Sequence, residues 1–233
     1  MPDHIGIVAS SAEGAALCFR TICAEAAPLL GPHAHPEISL HAHSLADYVA
    51  CFDRSDWAGV GELMLSSARK LAAAGAKFLI CPVNTIHQAL PHIEARSPLP
   101  WLHIADVVAA EAAERGFRRL GLAGTRWLVE SEVYPEKLAA RGLSCVRPEA
   151  ADRAAMNRFI MDDLVPGNFS PEATAFFQQA IGRLKVAGCD AVILGCTELP
   201  IIMNDGNSPL PTLDSTRLLA RAAFRRAMSR NHN

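Results

Sequence analysis

The chain has 233 residues, half of them hydrophobic and a fifth charged, with a formal net charge of −2. That length buries a substantial core, and the near-neutral balance leaves no basic footprint for nucleic acid. No apolar run approaches the roughly 20 residues that span a bilayer, and MPDHIGIVAS has neither the basic start nor the cleavage site of a signal peptide, so neither membrane nor export is expected.

Residues 4–10 read as a short buried strand and 12–27 as a helix. PEISLHAH, 36–43, alternates Ile38 and Leu40 with Ser39 and His41 and reads as a strand. Residues 56–74 form an amphipathic helix with Trp57, Val60, Leu63, Met64 and Leu71 at helical spacing and Gly75 as its stop. KFLICP is a buried strand ended by Pro82, 86–95 a helix, and WLHI a short strand. A helix over 106–115 ends at Gly116, and RRLGLAGT, 118–125, is the next apolar strand. Helices at 129–141 and 151–164 flank a strand near 143–146. PGNFSP, 166–171, is a loop; a helix over 171–187 stops at Gly188; DAVILG is a buried strand; 214–230 is a last helix with a basic outer face. Strands apolar throughout, alternating with helices, argue for parallel sheet covered on both faces.

Seven cysteines stand at 18, 23, 51, 81, 145, 189 and 196, with no CxxC pair. That pattern suits neither a disulfide framework nor a zinc finger, and points to reduced thiols in the cytoplasm. His41 and His43 alternate on one strand and could share a metal. No Asp or Cys completes the set at a recognisable spacing, so a solvated strand edge is expected and no metal site is assigned.

An internal repeat organises the chain. AGAKFLICPVNTIH (74–87) lies over AGCDAVILGCTELP (187–200) at a shift of 113, and IGIVAS (5–10) over LGLAGT (120–125) at a shift of 115. Ser10 then matches Thr125, and Val83 matches Cys196. Ligands of parallel α/β sheets sit outside the carboxyl ends of strands, so the repeat directs both polar turns, 83–87 and 196–198, to one cleft.

Cys196 follows a strand and a glycine, and Thr197-Glu198 is expected to open a short helix. A helix N-terminus lowers a thiol's pKa, which would make Cys196 a usable acid or base. Asn84, Thr85, Ser10, Ser11, Thr125 and Thr197 offer hydroxyl, amide and backbone donors for a substrate carboxylate at four strand ends. The same residue types also serve ordinary turns and caps. Cys81 and Cys189 lie inside strand patterns and read as core.

LGCTELP (194–200), VNTIH (83–87), GTR (124–126), the helix DWAGVGELMLSSARKLAAAGA (56–76) and LDSTRLLARAA (213–223) together resemble the aspartate/glutamate racemase superfamily, nearly end to end. The resemblance implies two similar flavodoxin- or Rossmann-like parallel-sheet α/β domains related by pseudo-twofold symmetry. One would comprise 1–101 plus 207–233, the other 102–206, with the active site between them. It also implies cofactor independence, a small carboxylate-bearing substrate and a possible homodimer; no GxGxxG turn or P-loop is present. In such racemases one cysteine in each half stands on either face of the substrate Cα. The second maps onto Cys196, and Asn84, Thr85, Thr125 and Thr197 map onto carboxylate-binding positions; Ser10, Ser11, Val83 and Glu198 complete the expected substrate-binding set.

The first cysteine of that pattern falls at Val83, which carries no proton. ASSAEGA (9–15) replaces a glycine-rich turn, Leu219 a frequent histidine, and LVPG (164–167) lacks an expected lysine. Three readings follow. A racemase with an incomplete cysteine pair needs a second proton carrier, with Ser11, Glu13, His87 or a water as candidates. A single-cysteine decarboxylase or isomerase, similar to arylmalonate decarboxylase, needs only Cys196. A binding protein without turnover needs neither.

Overall fold

The apolar strands assemble into two four-stranded sheets in which all pairings are parallel. The computed structural model describes residues 1–229. Strands β1 (Ile5–Ala9), β2 (Ile38–Ala42), β3 (Phe78–Ile80) and β4 (Trp101–Leu102) form the first sheet, in the order β2-β1-β3-β4. Strands β5 (Arg119–Ala123), β6 (Ser144–Val146), β7 (Ala191–Leu194) and β8 (Thr212–Asp214) form the second, in the order β6-β5-β7-β8. Each order is that of a flavodoxin-like doubly wound sheet. Parallel neighbours require crossovers, and helices supply them within each sheet. The helices are α1 (Ala12–Leu30), α2 (Leu45–Phe52), α3 (Trp57–Ala73), α4 (Leu90–Ile93), α5 (Ile104–Glu114), α6 (Arg126–Val129), α7 (Val133–Ala139), α8 (Ala150–Arg158), α9 (Pro171–Val186), α10 (Leu199–Ile202) and α11 (Ser215–Ser229), of which α5 joins the two sheets and α11 follows the last strand.

The sequence repeat is a packing repeat. Gly6 on β1 faces Leu71 of α3, and Gly121 on β5 faces Leu184 of α9; an added Cβ would lie 3.3 Å from Leu71 Cβ in one case and 3.2 Å from Leu184 Cβ in the other. Each glycine lets the helix before the next strand lie close against the sheet. The helices stop at Gly75 and Gly188, whose φ values of +100° and +86° suit glycine. The chain then enters β3 and β7 through matching bonds: Lys77 N–H to His4 O and Asp190 N–H to Arg119 O, then Leu79 N–H to Pro100 O and Val192 N–H to Pro211 O.

The chain divides into two units. One is Met1–Val107 with the residues from Thr216 onward, and the other is Val108–Ser215. The boundaries drawn from sequence, at 101/102 and 206/207, differ. Leu102 pairs with Ile80, which holds it in the first sheet, and Thr212–Asp214 pair with Val192–Leu194, which holds the 207–215 segment in the second unit. A three-residue strand following Pro209 and Pro211 has no readable period, and its pairing with β7 is what makes β8 a strand.

Other elements also depart from expectation. α1 runs one turn beyond 27, through Pro28. The expected helix over 129–141 is two pieces, α6 and α7, because Pro135 has no N–H to offer the carbonyl of residue 131. Residues 86–95 are mostly 3₁₀ turns around α4, and 159–164 form a π-helical turn after α8. The last helix is described to Ser229; residue 230 of the expected span lies outside the described residues.

His41 on β2 and His43 just after it lie at the edge of the first sheet, as expected, and side chains of α3 engage them. His41 Nδ1 is 2.9 Å from Ser67 Oγ, Lys70 Nζ is 2.9 Å from His41 Nε2, and His43 Nε2 is 3.1 Å from Ser66 Oγ. Both rings are half-buried beneath α3, and burial, followed by Lys70 and His43, lowers the pKa of His41.

Replacing Gly121 by Val is expected to destabilise the protein by about 1–3 kcal/mol, the usual cost of overpacking. Leu184 must move away from β5 to admit the side chain. The midpoint of urea unfolding, with unchanged slope, checks this; an unchanged midpoint would show that α9 is free to shift.

Candidate active site

Adjacent parallel strands release the chain side by side. β5 and β7 pair through Ala123 and Leu194, so Gly124-Thr125 and Gly195-Cys196 leave neighbouring strand ends. Gly195 N–H donates to Ala123 O at 2.8 Å. A Cβ at Gly195 would lie 2.5 Å from Leu128 Cδ2 and 3.0 Å from Ala123 O, so only glycine fits this crossing. In the first unit β1 and β3 pair through Ile7 and Ile80, placing Ser10-Ser11 and Val83-Asn84-Thr85 beyond adjacent strand ends. The nine sequence-predicted residues thus fall into two sets: Ser10, Ser11, Val83, Asn84 and Thr85 on one sheet, Thr125, Cys196, Thr197 and Glu198 on the other.

Within the second set, Cys196 Sγ donates to Glu198 Oε2 at 2.9 Å, and Thr197 Oγ1 donates to the same oxygen at 2.7 Å. Cys196 is 9%, Thr197 5% and Glu198 3% exposed. Glu198 stands just before the single turn of α10 and was expected to face substrate; in this arrangement one of its oxygens is occupied by the cysteine and threonine beside it. The expected lowering of the thiol pKa by a helix N-terminus is overturned. Burial, then the Glu198 charge and its hydrogen bond, push the Cys196 thiol well up, outweighing backbone N–H groups of Glu198 and Thr197 that pull it down. A one-turn helix has little dipole to oppose a carboxylate at contact distance. Ser215, not singled out from sequence, anchors the strand end by donating to Leu194 O at 2.8 Å.

The first set is built differently. Asn84 and Thr85 open a buried 3₁₀ turn, and Val83 is half-buried. Cys81 points back into the core, where its Sγ lies 3.8 Å from Val83 O and burial pushes its pKa up to about 12. His87, a candidate proton carrier from sequence, has Nε2 2.9 Å from Cys81 O, and its ring meets that of His103 at 4.5 Å. Ser10 Oγ is buried with no hydrogen-bond partner among the described residues. Ser11 and Thr125 occupy the N-cap positions of α1 and α6. Glu13 lies exposed in the first turn of α1.

The model of the Asp/Glu/Hydantoin racemase family matches residues 5–223. The chain belongs to that family. Family members at modest identity include the broad specificity amino-acid racemase RacX of Bacillus subtilis, 25% identical over 159 residues that cover 68% of each chain. A Yersinia pestis protein described as a candidate Asp/Glu racemase superposes with a TM-score of 0.88 at 29% identity, over 97% of this chain and all of that one. An aspartate racemase homologue from Pyrococcus horikoshii shares the family fold, with a TM-score of 0.82 at 24% identity over 97% and 99% of the two chains. No helix among the described residues is long and apolar enough to cross a membrane.

The buried thiol of Cys81 gives a pH dependence of defined sign. An unfolded cysteine ionises near pH 8.5, whereas Cys81 in the folded protein stays neutral to about 12. Its contribution is fully present below pH 8.5 and is lost as pH rises toward 12, because only the unfolded chain releases the proton. Urea midpoints measured at pH 8 and 10.5 should therefore fall with pH, and fall less steeply in Cys81→Ala; equal slopes would overturn the assignment.

Proposed function

We propose that this protein is a cofactor-independent racemase or epimerase that moves a proton at the carbon α to a substrate carboxylate, with Cys196 as the acid/base. The observation that carries the reading is the Cys196 thiol, buried at the end of β7 and hydrogen-bonded to Glu198, in a chain whose family match spans residues 5–223. Ser10, Ser11, Asn84, Thr85, Thr125 and Thr197, all at strand ends, are the proposed donors to the carboxylate. Removing an α-proton leaves an enediolate-like carbanion, and fixed donors aimed at its oxygens stabilise it. The substrate is a small carboxylate-bearing molecule, with acidic amino acids as the first candidates.

Inversion needs a proton carrier on each face of the α-carbon, and Val83 supplies none on the first sheet. His87 is engaged with the Cys81 carbonyl, and Cys81 is buried with its pKa raised to about 12. Ser11, Glu13 or a water remains for that role. The same observation supports a second reading: a single-cysteine decarboxylase resembling arylmalonate decarboxylase, in which the protonated thiol delivers one proton to a carbanion and Val83 lines a less polar pocket.

Proton exchange in D₂O, followed by NMR with L- and D-aspartate, L- and D-glutamate and a panel of arylmalonates, separates the two. Deuterium at Cα with inversion supports the racemase; loss of CO₂ from a malonate without exchange on amino acids supports the decarboxylase; inertness toward all of them overturns both. In either case Cys196→Ala should lose about 10²–10⁴-fold in turnover, the usual contribution of a general acid or base, and retained turnover would remove Cys196 from the mechanism.

A further inference from the structure

The second unit carries a cavity that the chemistry proposed for Cys196 does not use. It lies between α6 and α8, has a volume of about 310 Å³ and is lined by Arg126, Glu130, Ala150, Arg153, Ala154 and Asn157. That volume is within the range of small-molecule sites. Both guanidiniums are oriented. Arg126 stacks over Trp127 at 4.9 Å, and its backbone N–H donates to Asn157 Oδ1 at 3.1 Å, which leaves the Asn157 Nδ2 group as a donor. Arg153 Nη1 donates to the Pro148 carbonyl at 2.9 Å, whereas Arg153 Nε is buried and has no hydrogen-bond partner among the described residues. Glu130 Oε1 stands 3.5 Å from that Nε, close enough to balance charge but too far for a good hydrogen bond. A guanidinium takes an oxyanion best along its Nε–Nη2 edge, where two parallel N–H groups match two oxygens. Arg183, in the same unit, does this: its Nε and Nη2 donate to the two carboxylate oxygens of Asp152 at 2.7 and 2.6 Å. Glu149 acts on Arg183 as well, and Glu132 is paired with Arg147, so Glu130 is the carboxylate that meets Arg153.

We propose that this cavity binds a small oxyanion, a phosphate or carboxylate group, side-on to Arg153, with Arg126 and the Asn157 amide closing on its remaining oxygens. A buried donor without a partner is costly, and two oxygens on one centre would satisfy Arg153 in the way that Asp152 satisfies Arg183. Two cations and one carboxylate leave the cavity a single positive charge. Glu130 competes with the ligand for Nε, and because its side chain is 59% exposed it can swing into water when an anion arrives. The ligand then meets two guanidiniums, which favours a doubly charged anion. The site neither includes Cys196 nor depends on its role.

The Arg153 Nε–H group reports occupancy directly. In the ¹⁵N-labelled full chain its side-chain NMR signal, assigned by its disappearance in Arg153→Lys, is followed during titration with inorganic phosphate and, separately, with succinate. Sodium chloride holds the ionic strength constant, so that screening does not change. The expected result is a saturable shift of that signal and of the Arg126 backbone amide with at least one of the two anions. Saturation by phosphate alone assigns the site to phosphate, and by succinate alone to carboxylate. Glu130→Gln removes the competitor and should tighten binding by about two- to fivefold, the range of an exposed ion pair. Arg153→Lys keeps the charge but loses the fork, and should weaken binding by at least about tenfold, read from the Arg126 amide. Shifts that grow without saturating with both anions, or an affinity unchanged by Glu130→Gln, would overturn the proposal and leave Arg153 a brace for the Pro148 carbonyl. Glu130 is exposed, so its variant keeps the test open even if Arg153→Lys fails to fold.

Discussion

Parallel strand pairing is the constraint on which the rest of this structure depends. Every strand in a parallel sheet points the same way, so every exit lies on one edge, and residues far apart in sequence become neighbours there without any specific attraction between them. Thr125 and Cys196 are 71 positions apart and stand beyond paired strands because Ala123 and Leu194 are in register. The pairing continues through the turn only because Gly195 has no Cβ to strike Leu128 and the Ala123 carbonyl. On the other face, Gly6 and Gly121 let Leu71 and Leu184 close against the strands. The site is therefore positioned by glycines and apolar side chains that take no part in its chemistry.

The electrostatics of the second rim run against the simplest expectation for a cysteine at the start of a helix. Partial charges on a few backbone N–H groups favour a thiolate, but they compete with the loss of water and with a full negative charge at hydrogen-bond distance. Burial and Glu198 win, and the Cys196 thiol is pushed well above the ordinary cysteine range. Cys81 shows the contrast: a thiol two residues from the equivalent rim, raised by burial and turned toward a backbone carbonyl.

The repeat was legible because its two copies share the same sequence of packing needs. AGAKFLI and AGCDAVIL each show a helix end, a glycine at positive φ and a buried strand, and both became the same local structure. The partners of His41 and His43 were not legible in this way. Alternation assigned His41 and His43 to one face, but the serines and lysine that engage them lie 23 to 29 residues away on α3. β8 was hidden for another reason: three residues after two prolines carry no period, and only the open edge of β7 makes them a strand.

By itself the sequence determined the alternation of buried strands and helices, the doubling of the architecture, and the candidate residues, because these depend on local periodicity and on glycines at turns. Tertiary structure alone decided which of those residues share a rim, where one unit ends and the next begins, and the direction in which the Cys196 thiol is pushed. Those outcomes depend on strand register and on the removal of water, and neither is a property of any short stretch of chain.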